Sequence, residues 1–199
     1  MIRLLDLILS LLLLVIFIPV FLLLSLWIKL DSRGPIIYRQ KRVGRFGKEF
    51  FMWKFRTMYI DSGNKLLLTL GDDDKRITPV GYYLRKLKLD ELPQLVNVLL
   101  GEMSIVGPRP EVKKYVDLYT HEQRKVLNVR PGITDYASIA YANENELLAG
   151  RTNPEQLYID TIMPEKIKLN QRFIDRPSVG NYFRIIFLTA KKVVTKKGA

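Results

Sequence analysis

The sequence predicts a mixed α/β, helix-rich domain set behind a long apolar N-terminal segment. Three observations lead there. An uncharged run extends from Leu7 to Ile28; β-branched and aromatic stretches bounded by glycine come after it; and apolar residues recur at helical spacing between Leu92 and Leu99. No repeat, low-complexity tract or long linker divides the chain beyond Leu30. The 199 residues therefore read as a membrane segment over 1–29 and one α/β unit over 30–199.

The apolar run "LILSLLLLVIFIPVFLLLSLWI" would form a straight helix of about 33 Å, close to the ~30 Å hydrocarbon core of a bilayer. It is too long and too evenly apolar for a signal peptide, and no small-residue cleavage site comes after it. Pro19 removes a backbone donor near its middle, so the helix kinks or breaks there. A single span with a tolerated proline and a re-entrant hairpin both satisfy these features. Downstream, Lys29, Arg33, Arg39, Lys41, Arg42, Arg45 and Lys48 face only Asp31, which places that side in the cytoplasm.

Next, "PIIYRQKRVG" and "EFFMWKFRTMYI" predict a β-hairpin turning at Phe46-Gly47. Within it, Lys54 and Arg56 share one side of a strand, either a solvated basic face or the wall of an anion site. Asp61–Arg76 is turn-rich and predicts a mobile loop. Its "GDDDKR" reads as solvated acids more readily than as a metal cluster. Thr78 and Pro79 form an N-cap and first-turn pair for a helix to about Lys86.

In "KLDELPQLVNVLLGE", Leu92, Leu95, Val96 and Leu99 mark an inward helix face, and Gly101 a C-terminal stop. Asp90 and Glu91 then lie at the helix N-terminus, where free N–H groups favour negative charge. An acidic cap alone would explain them. Yet Arg85, Lys86 and Lys88 precede the pair, and the proline-bracketed Arg109 of "GPRPE" lies just past the helix. Acids among fixed cations suit a phosphate-handling site, where cations hold phosphoryl oxygens while a carboxylate attacks or binds Mg²⁺. Prolines on both sides of Arg109 restrict its backbone and position its guanidinium at low entropic cost. "VRPGIT" repeats the device with Arg130.

Charge and composition bound the partners. Lys and Arg outnumber Asp and Glu by 32 to 20, a formal charge of +12 that favours nucleic acid, phosphorylated ligands or acidic lipid. With no cysteine, a disulfide framework, a thiolate nucleophile and a zinc-thiolate site are excluded. His121, the one histidine, sits in "YTHEQRK", a surface helix by pattern. "NYFRIIFLTAKKVV" reads as a basic amphipathic C-terminal helix, suited equally to interfacial membrane contact and to core packing.

Together, the Pro19-broken apolar segment, "RVGRFGKEFFMWKFRTM", "RITPVGYYLRKLKLDELPQLVNVLLGEMSIVGPRPE" and "RPGIT" resemble the bacterial sugar transferases of the small monotopic phosphoglycosyl transferase type. The resemblance implies transfer of a sugar-1-phosphate from a UDP-sugar to undecaprenyl phosphate with release of UMP, starting surface glycan synthesis. It implies Asp90 as nucleophile in a phosphosugar-aspartyl intermediate, and Glu91 assisting through Mg²⁺ or proton handling, so that both acids are metal candidates. Arg85 and Arg109 match family arginines that grip phosphate, with Lys54, Arg56 and Arg130 as further candidates. It also implies a re-entrant segment broken at Pro19, a catalytic domain on the cytoplasmic face of the bacterial inner membrane, contact with membrane lipid and no nucleic acid. A homodimer stays open.

The chain departs from the family pattern twice. Ile18 stands where many relatives carry serine before the proline. After "PGIT", the stretch "DYASIAYANENE" lacks the arginine that many members place there, which leaves the donor sugar open. Two rival classes remain at this point: a membrane-tethered nucleic-acid or lipid-surface binding module, and a non-catalytic assembly partner in glycan synthesis.

Overall fold

A computed structural model describes residues 1–60 and 74–195. Two helices open the chain, α1 (Ile2–Ile16) and α2 (Ile18–Asp31), bent by 61° about Phe17. A continuous helix would need Pro19 to donate to the Val15 carbonyl. Proline cannot, so the ladder fails in the preceding turn and the break falls at Phe17, two residues ahead of the expected position. Among the described residues no single helix is long and apolar enough to cross a membrane.

The expected hairpin is present. Strand β1 (Ile37–Val43) pairs antiparallel with β2 (Glu49–Phe55), from Ile37 opposite Phe55 to Val43 opposite Glu49. Phe46 and Gly47 turn it with φ of 59° and 74°. Helix α3 (Pro79–Lys86) starts where Thr78 Oγ1 accepts the Gly81 N–H at 3.0 Å. Helix α4 (Gln94–Leu100) ends at Gly101, whose φ of 86° a side chain would resist. Strand β3 (Ser104–Val106) comes next, then α5 (Lys113–Val116) and β4 (Gly132–Thr134), which runs parallel to β3. Short helices α6 (Tyr136–Ala140), α7 (Glu144–Leu148) and α8 (Pro154–Leu157) lead through a π-turn to α9 (Met163–Asp175) and α10 (Val179–Thr195). The architecture is the mixed, helix-rich α/β arrangement expected.

The inward face of α4 differs from the apolar periodicity. Leu95 and Val98 are buried with Gln94 and Asn97, while Leu92, Val96 and Leu99 are half-buried. The cause is the open edge of β2. Asn97 Oδ1 accepts the Trp53 N–H at 2.9 Å, and its Nδ2 donates to the Phe51 carbonyl at 2.8 Å. A side-chain amide thus substitutes for a missing neighbouring strand, and satisfying those backbone groups outweighs burying one more leucine.

Three apolar clusters hold the domain, and the N-terminal helices feed two of them. Ile2, Leu5 and Leu9 of α1 pack against a cluster of Met52, Val98, Met103, Ile105 and Tyr182. Val20, Phe21, Leu24 and Ile28 of α2 join Phe55, Val80 and Leu84. Polar contacts fix α1 further. Arg3 Nη1 donates to the Val98 carbonyl at 2.8 Å, supplying a partner at the C-terminal end of α4. The buried Asp6 carboxylate accepts from Ser104 Oγ, Ile105 N–H and Tyr182 Oη. By contrast Leu11, Leu12, Val15 and Ile16, around the bend, and Leu22, Leu23 and Leu26, beyond it, are more than half exposed.

The C-terminal helix divides its faces. Tyr182 and Ile185 are buried, which is the core-packing reading, while Phe183 and Phe187 are exposed beside Arg184 and Lys191. His121 lies exposed in a turn. Most of the loop expected over Asp61–Arg76 lies outside the described residues. Within it, Asp74 is ion-paired to Arg76 at 2.5 Å.

Candidate active site

The acid pair is presented by a short turn between α3 and α4. Lys88 takes a left-handed conformation (φ 57°, ψ 22°), rare for a residue with a side chain, and leads into a 3-10 turn over Leu89–Glu91. Left-handed backbone in a non-glycine residue costs of order 1–2 kcal/mol, so the packing around it must over-determine the turn. Its effect is to bury Asp90 to 8% exposure between α3 and the end of β2. Glu91 faces Lys54 on β2, at 3.2 Å from Nζ to Oε1.

Arg109 closes the group from the other side. It binds Glu91 with both guanidinium ends, Nη1 to Oε2 at 3.1 Å and Nη2 to Oε1 in a tighter contact. Its backbone is held as the flanking prolines suggest, with its N–H donating to Asp135 Oδ2 at 2.8 Å. Asp135 also caps α6 through Ser138 N–H and accepts from Asn170 Nδ2 at 2.7 Å. The loop can approach β4 this closely because residue 107 is glycine. A Cβ there would lie 2.5 Å from the Arg130 carbonyl oxygen.

The electrostatics separate the two acids. Burial would raise the Glu91 carboxyl, but Arg109 and Lys54 outweigh it and hold the group well below the usual carboxylate range. Asp90 goes the opposite way. Burial raises its carboxyl, the Glu91 charge raises it further, and Lys54, Lys88 and Arg85 offset this only in part. Lys54 is lowered by its own burial, against the pull of Glu91. Glu91 is therefore a committed structural anion that fixes two cations. Asp90 is an uncommitted acid: neither oxygen accepts a hydrogen bond among the described residues, and Oδ1 is buried without a partner. Adjacent carboxyls with separated protonation behaviour are what division of chemical roles requires.

The structure thus brings Asp90, Glu91, Lys54 and Arg109 together. Arg85, half-buried on α3, acts on Asp90 through space. Arg56 and Arg130 lie elsewhere. Arg56, 5% exposed, donates to the Ser32 and Arg33 carbonyls at the end of α2. Arg130 Nε donates to the Gly101 carbonyl at 3.0 Å, beyond α4. Each supplies a hydrogen-bond partner at a helix C-terminus, a role that the sequence pattern of an arginine beside apolar residues does not distinguish from anion binding.

A polar cavity of about 170 Å³ opens beside Arg109, with neither Asp90 nor Glu91 in its lining. Arg42, Glu111, Glu144, Asn145, Tyr158 and Lys166 line it, and none of them stood out as a site residue in the sequence. Glu111 comes two residues after the bracketed arginine, a signal that was available. Lys166 comes from α9, far along the chain, with no motif around it.

Residues 1–196 match the sequence profile of the family described as bacterial sugar transferase. The chain belongs to that family. The chain is 36% identical over 198 residues to a UDP-glucose:undecaprenyl-phosphate glucose-1-phosphate transferase of Escherichia coli (strain K12), covering 98% of this chain and 40% of the relative. It is 36% identical over 171 residues to an uncharacterized sugar transferase of Bacillus subtilis (strain 168), covering 86% and 76%. Against a UDP-N-acetylgalactosamine-undecaprenyl-phosphate N-acetylgalactosaminephosphotransferase of Aeromonas hydrophila it is 42% identical over 130 residues, 63% of this chain and 30% of the relative. The chain therefore spans about two fifths of the Escherichia coli relative and less of the Aeromonas one. The acid pair, Lys54 and Arg109 all fall within the family match.

Proposed function

We propose that the chain transfers a sugar-1-phosphate from a UDP-sugar to undecaprenyl phosphate with release of UMP. The observation that carries this reading is the buried, uncommitted Asp90 carboxylate beside a Glu91 that already pairs with Arg109 and Lys54. In the first step an Asp90 carboxylate oxygen attacks the β-phosphorus of the donor. The bond from that phosphorus to the bridging oxygen breaks, and UMP leaves with the electron pair. In the second, a phosphate oxygen of the polyprenyl acceptor attacks the same phosphorus and displaces the Asp90 carboxylate. Arg109 and Lys54, fixed by Glu91 before substrate arrives, stabilise charge developing on the phosphoryl oxygens with little reorganisation.

Mg²⁺ fits this donor set as an ion held by Asp90 with donor phosphate oxygens and water, a common arrangement for that metal. Among the described residues there is no cluster of three or more acidic, histidine or cysteine side chains to cage it. Both Glu91 oxygens are engaged by Arg109 and Lys54. When bound, the ion would neutralise diphosphate charge and ease departure of UMP.

Topology is argued from where α1 and α2 are attached. The start of α1 is bound through Arg3 and Asp6, and the end of α2 through Ile28 and the Arg56 contacts, all to one folded domain. A segment tethered at both ends to one domain re-enters on the side it left. That supports a shallow re-entrant wedge whose exposed apolar apex sits in one leaflet of the bacterial inner membrane, on the cytoplasmic side where the basic residues lie.

The test is UMP release from a panel of UDP-sugars with Mg²⁺ and undecaprenyl phosphate. Activity with one donor, lost in a folded Asp90→Asn variant, is the expected result. Turnover by that variant at the wild-type rate would remove Asp90 as nucleophile.

A further inference from the structure

The cavity behind Arg109 has a composition that selects among the parts of a nucleotide-sugar. Most of its charges are paired within the wall. Lys166 pairs with Glu144 at 2.7 Å, Arg42 faces Glu111 at 3.7 Å, and Arg109 is bound by Glu91, which is not part of the lining. A pocket for phosphate gathers unpaired cations, whereas the cations of this wall, Arg42 and Lys166, each face an acid of the same wall, and the third, Arg109, is shared with the acid pair. It also offers no ring face for a base. Tyr115 and Tyr158 pack on each other with centroids 5.0 Å apart and are buried, and Lys166 lies over the Tyr158 ring at 5.3 Å. What remains is a wall of largely paired charges, rich in donors and acceptors. The Asn145 amide on this wall makes no hydrogen bond among the described residues. Such a wall suits an uncharged polyhydroxyl ring.

Position agrees with composition. Arg109 is shared between this cavity and the acid pair, so a ligand whose phosphorus lies at Asp90 can place its next substituent past the guanidinium into the cavity. Glu144 and Asn145 come from α7, in the segment where the chain departs from the family pattern.

We infer that this cavity receives the sugar ring of the donor, and that Glu144 and Asn145 determine which sugar is accepted. The inference rests on the transfer reaction proposed above and adds the residues that set its specificity. A site that hydrogen-bonds a particular hydroxyl or amide rejects analogues lacking it, because its own buried polar groups are then left unpaired. An axial hydroxyl or an N-acetyl group would be read in this way.

The experiment compares full-length wild type with Asn145→Ala and Glu144→Gln, each checked for wild-type thermal stability. UDP-glucose, UDP-galactose and UDP-N-acetylgalactosamine serve as donors and UDP as a competing ligand. The expected result is a change of tenfold or more in the ratio of kcat/KM between two donors, with the UDP inhibition constant within twofold of wild type. Unchanged ratios in both variants would overturn the inference, as would loss of UDP affinity in parallel with every donor. Calorimetric binding of the same three donors in an Asp90→Asn background separates it from the reaction itself. If wild type releases no UMP but Asn145→Ala still alters preference among bound UDP-sugars, the pocket assignment stands and the reaction reading fails. If wild type turns over through Asp90 with ratios indifferent to both variants, the pocket assignment alone fails.

Discussion

Replacing Asp6 with alanine should detach the N-terminal half of α1 from the domain. Its carboxylate is 2% exposed and accepts three separate donors: Ser104 Oγ at 2.8 Å, the Ile105 N–H at 2.9 Å and Tyr182 Oη at 2.9 Å. Alanine would leave all three buried without an acceptor, each at roughly 1–3 kcal/mol. Because water can enter the space vacated, the lower part of the summed range is the better expectation, about 3–5 kcal/mol. For a chain of this size that lowers Tm by about 6–20 °C. Asparagine is the informative control. Oδ1 alone already accepts from Ile105 and Tyr182, and the new amide would face Ser104 Oγ, which can switch to acceptor. Only the charge contribution is lost, about 1–2 kcal/mol. Thermal unfolding in detergent gives both values, and hydrogen exchange at 104–106 reports whether the contact itself has opened. If Asp6→Ala unfolds within about 1 °C of wild type, or Asp6→Asn costs as much as Asp6→Ala, the anchoring argument is wrong.

Other expectations are more compact. In chelator, Asp90→Asn should raise Tm near neutral pH by a few degrees, since it removes a buried charge with no partner, of order 1 kcal/mol. Linkage sets the sign. A carboxyl raised in the folded state is a cost above its folded value, and that cost fades as pH falls toward the ordinary carboxylate range, so the gain should vanish in acid. A gain that persists unchanged at low pH would refute this. Arg109→Lys should lower kcat/KM for UMP release by roughly 10–100-fold although charge is kept, because one ammonium cannot make both bonds to Glu91. Unchanged steady-state kinetics would take Arg109 out of the site. Gly81→Ala, which would favour an isolated helix by about 1 kcal/mol, should instead destabilise by about 3 kcal/mol. Its Cβ would lie 2.2 Å from the backbone oxygen of Thr57, so stabilisation in a urea titration would show that α3 is not packed as described.

Much of the arrangement was legible in the chain, because the relevant signals are local. The Thr78-Pro79 start of α3, the hairpin at Phe46-Gly47 and the stop at Gly101 each depend on the φ preference or hydrogen bonding of one or two residues. The acid pair and the bracketed Arg109 were visible for a similar reason, since proline and charge clustering act over a few residues. The apolar run is likewise evident, though not the exact residue of its break, because proline distorts the turn before it.

Contacts across the fold were another matter. Lys54, Arg56, Arg109 and Arg130 look alike in sequence as cations near apolar residues. Packing alone makes two of them partners of Glu91 and sends the other two to helix C-termini. Asp6, inside a segment otherwise read as membrane-embedded, is explained only by Ser104, Ile105 and Tyr182, which lie about 98 to 176 residues away. The same holds for the cavity, whose walls come from β1, the loop after β3, α7 and α9. The sequence by itself determined the broken apolar segment, the hairpin, α3, α4 and the presence of an acid pair among cations. Which acid is neutralised and which left uncommitted was decided only when the tertiary fold set their distances to Arg109 and Lys54, since Coulomb interactions and desolvation depend on position in space and not on order along the chain.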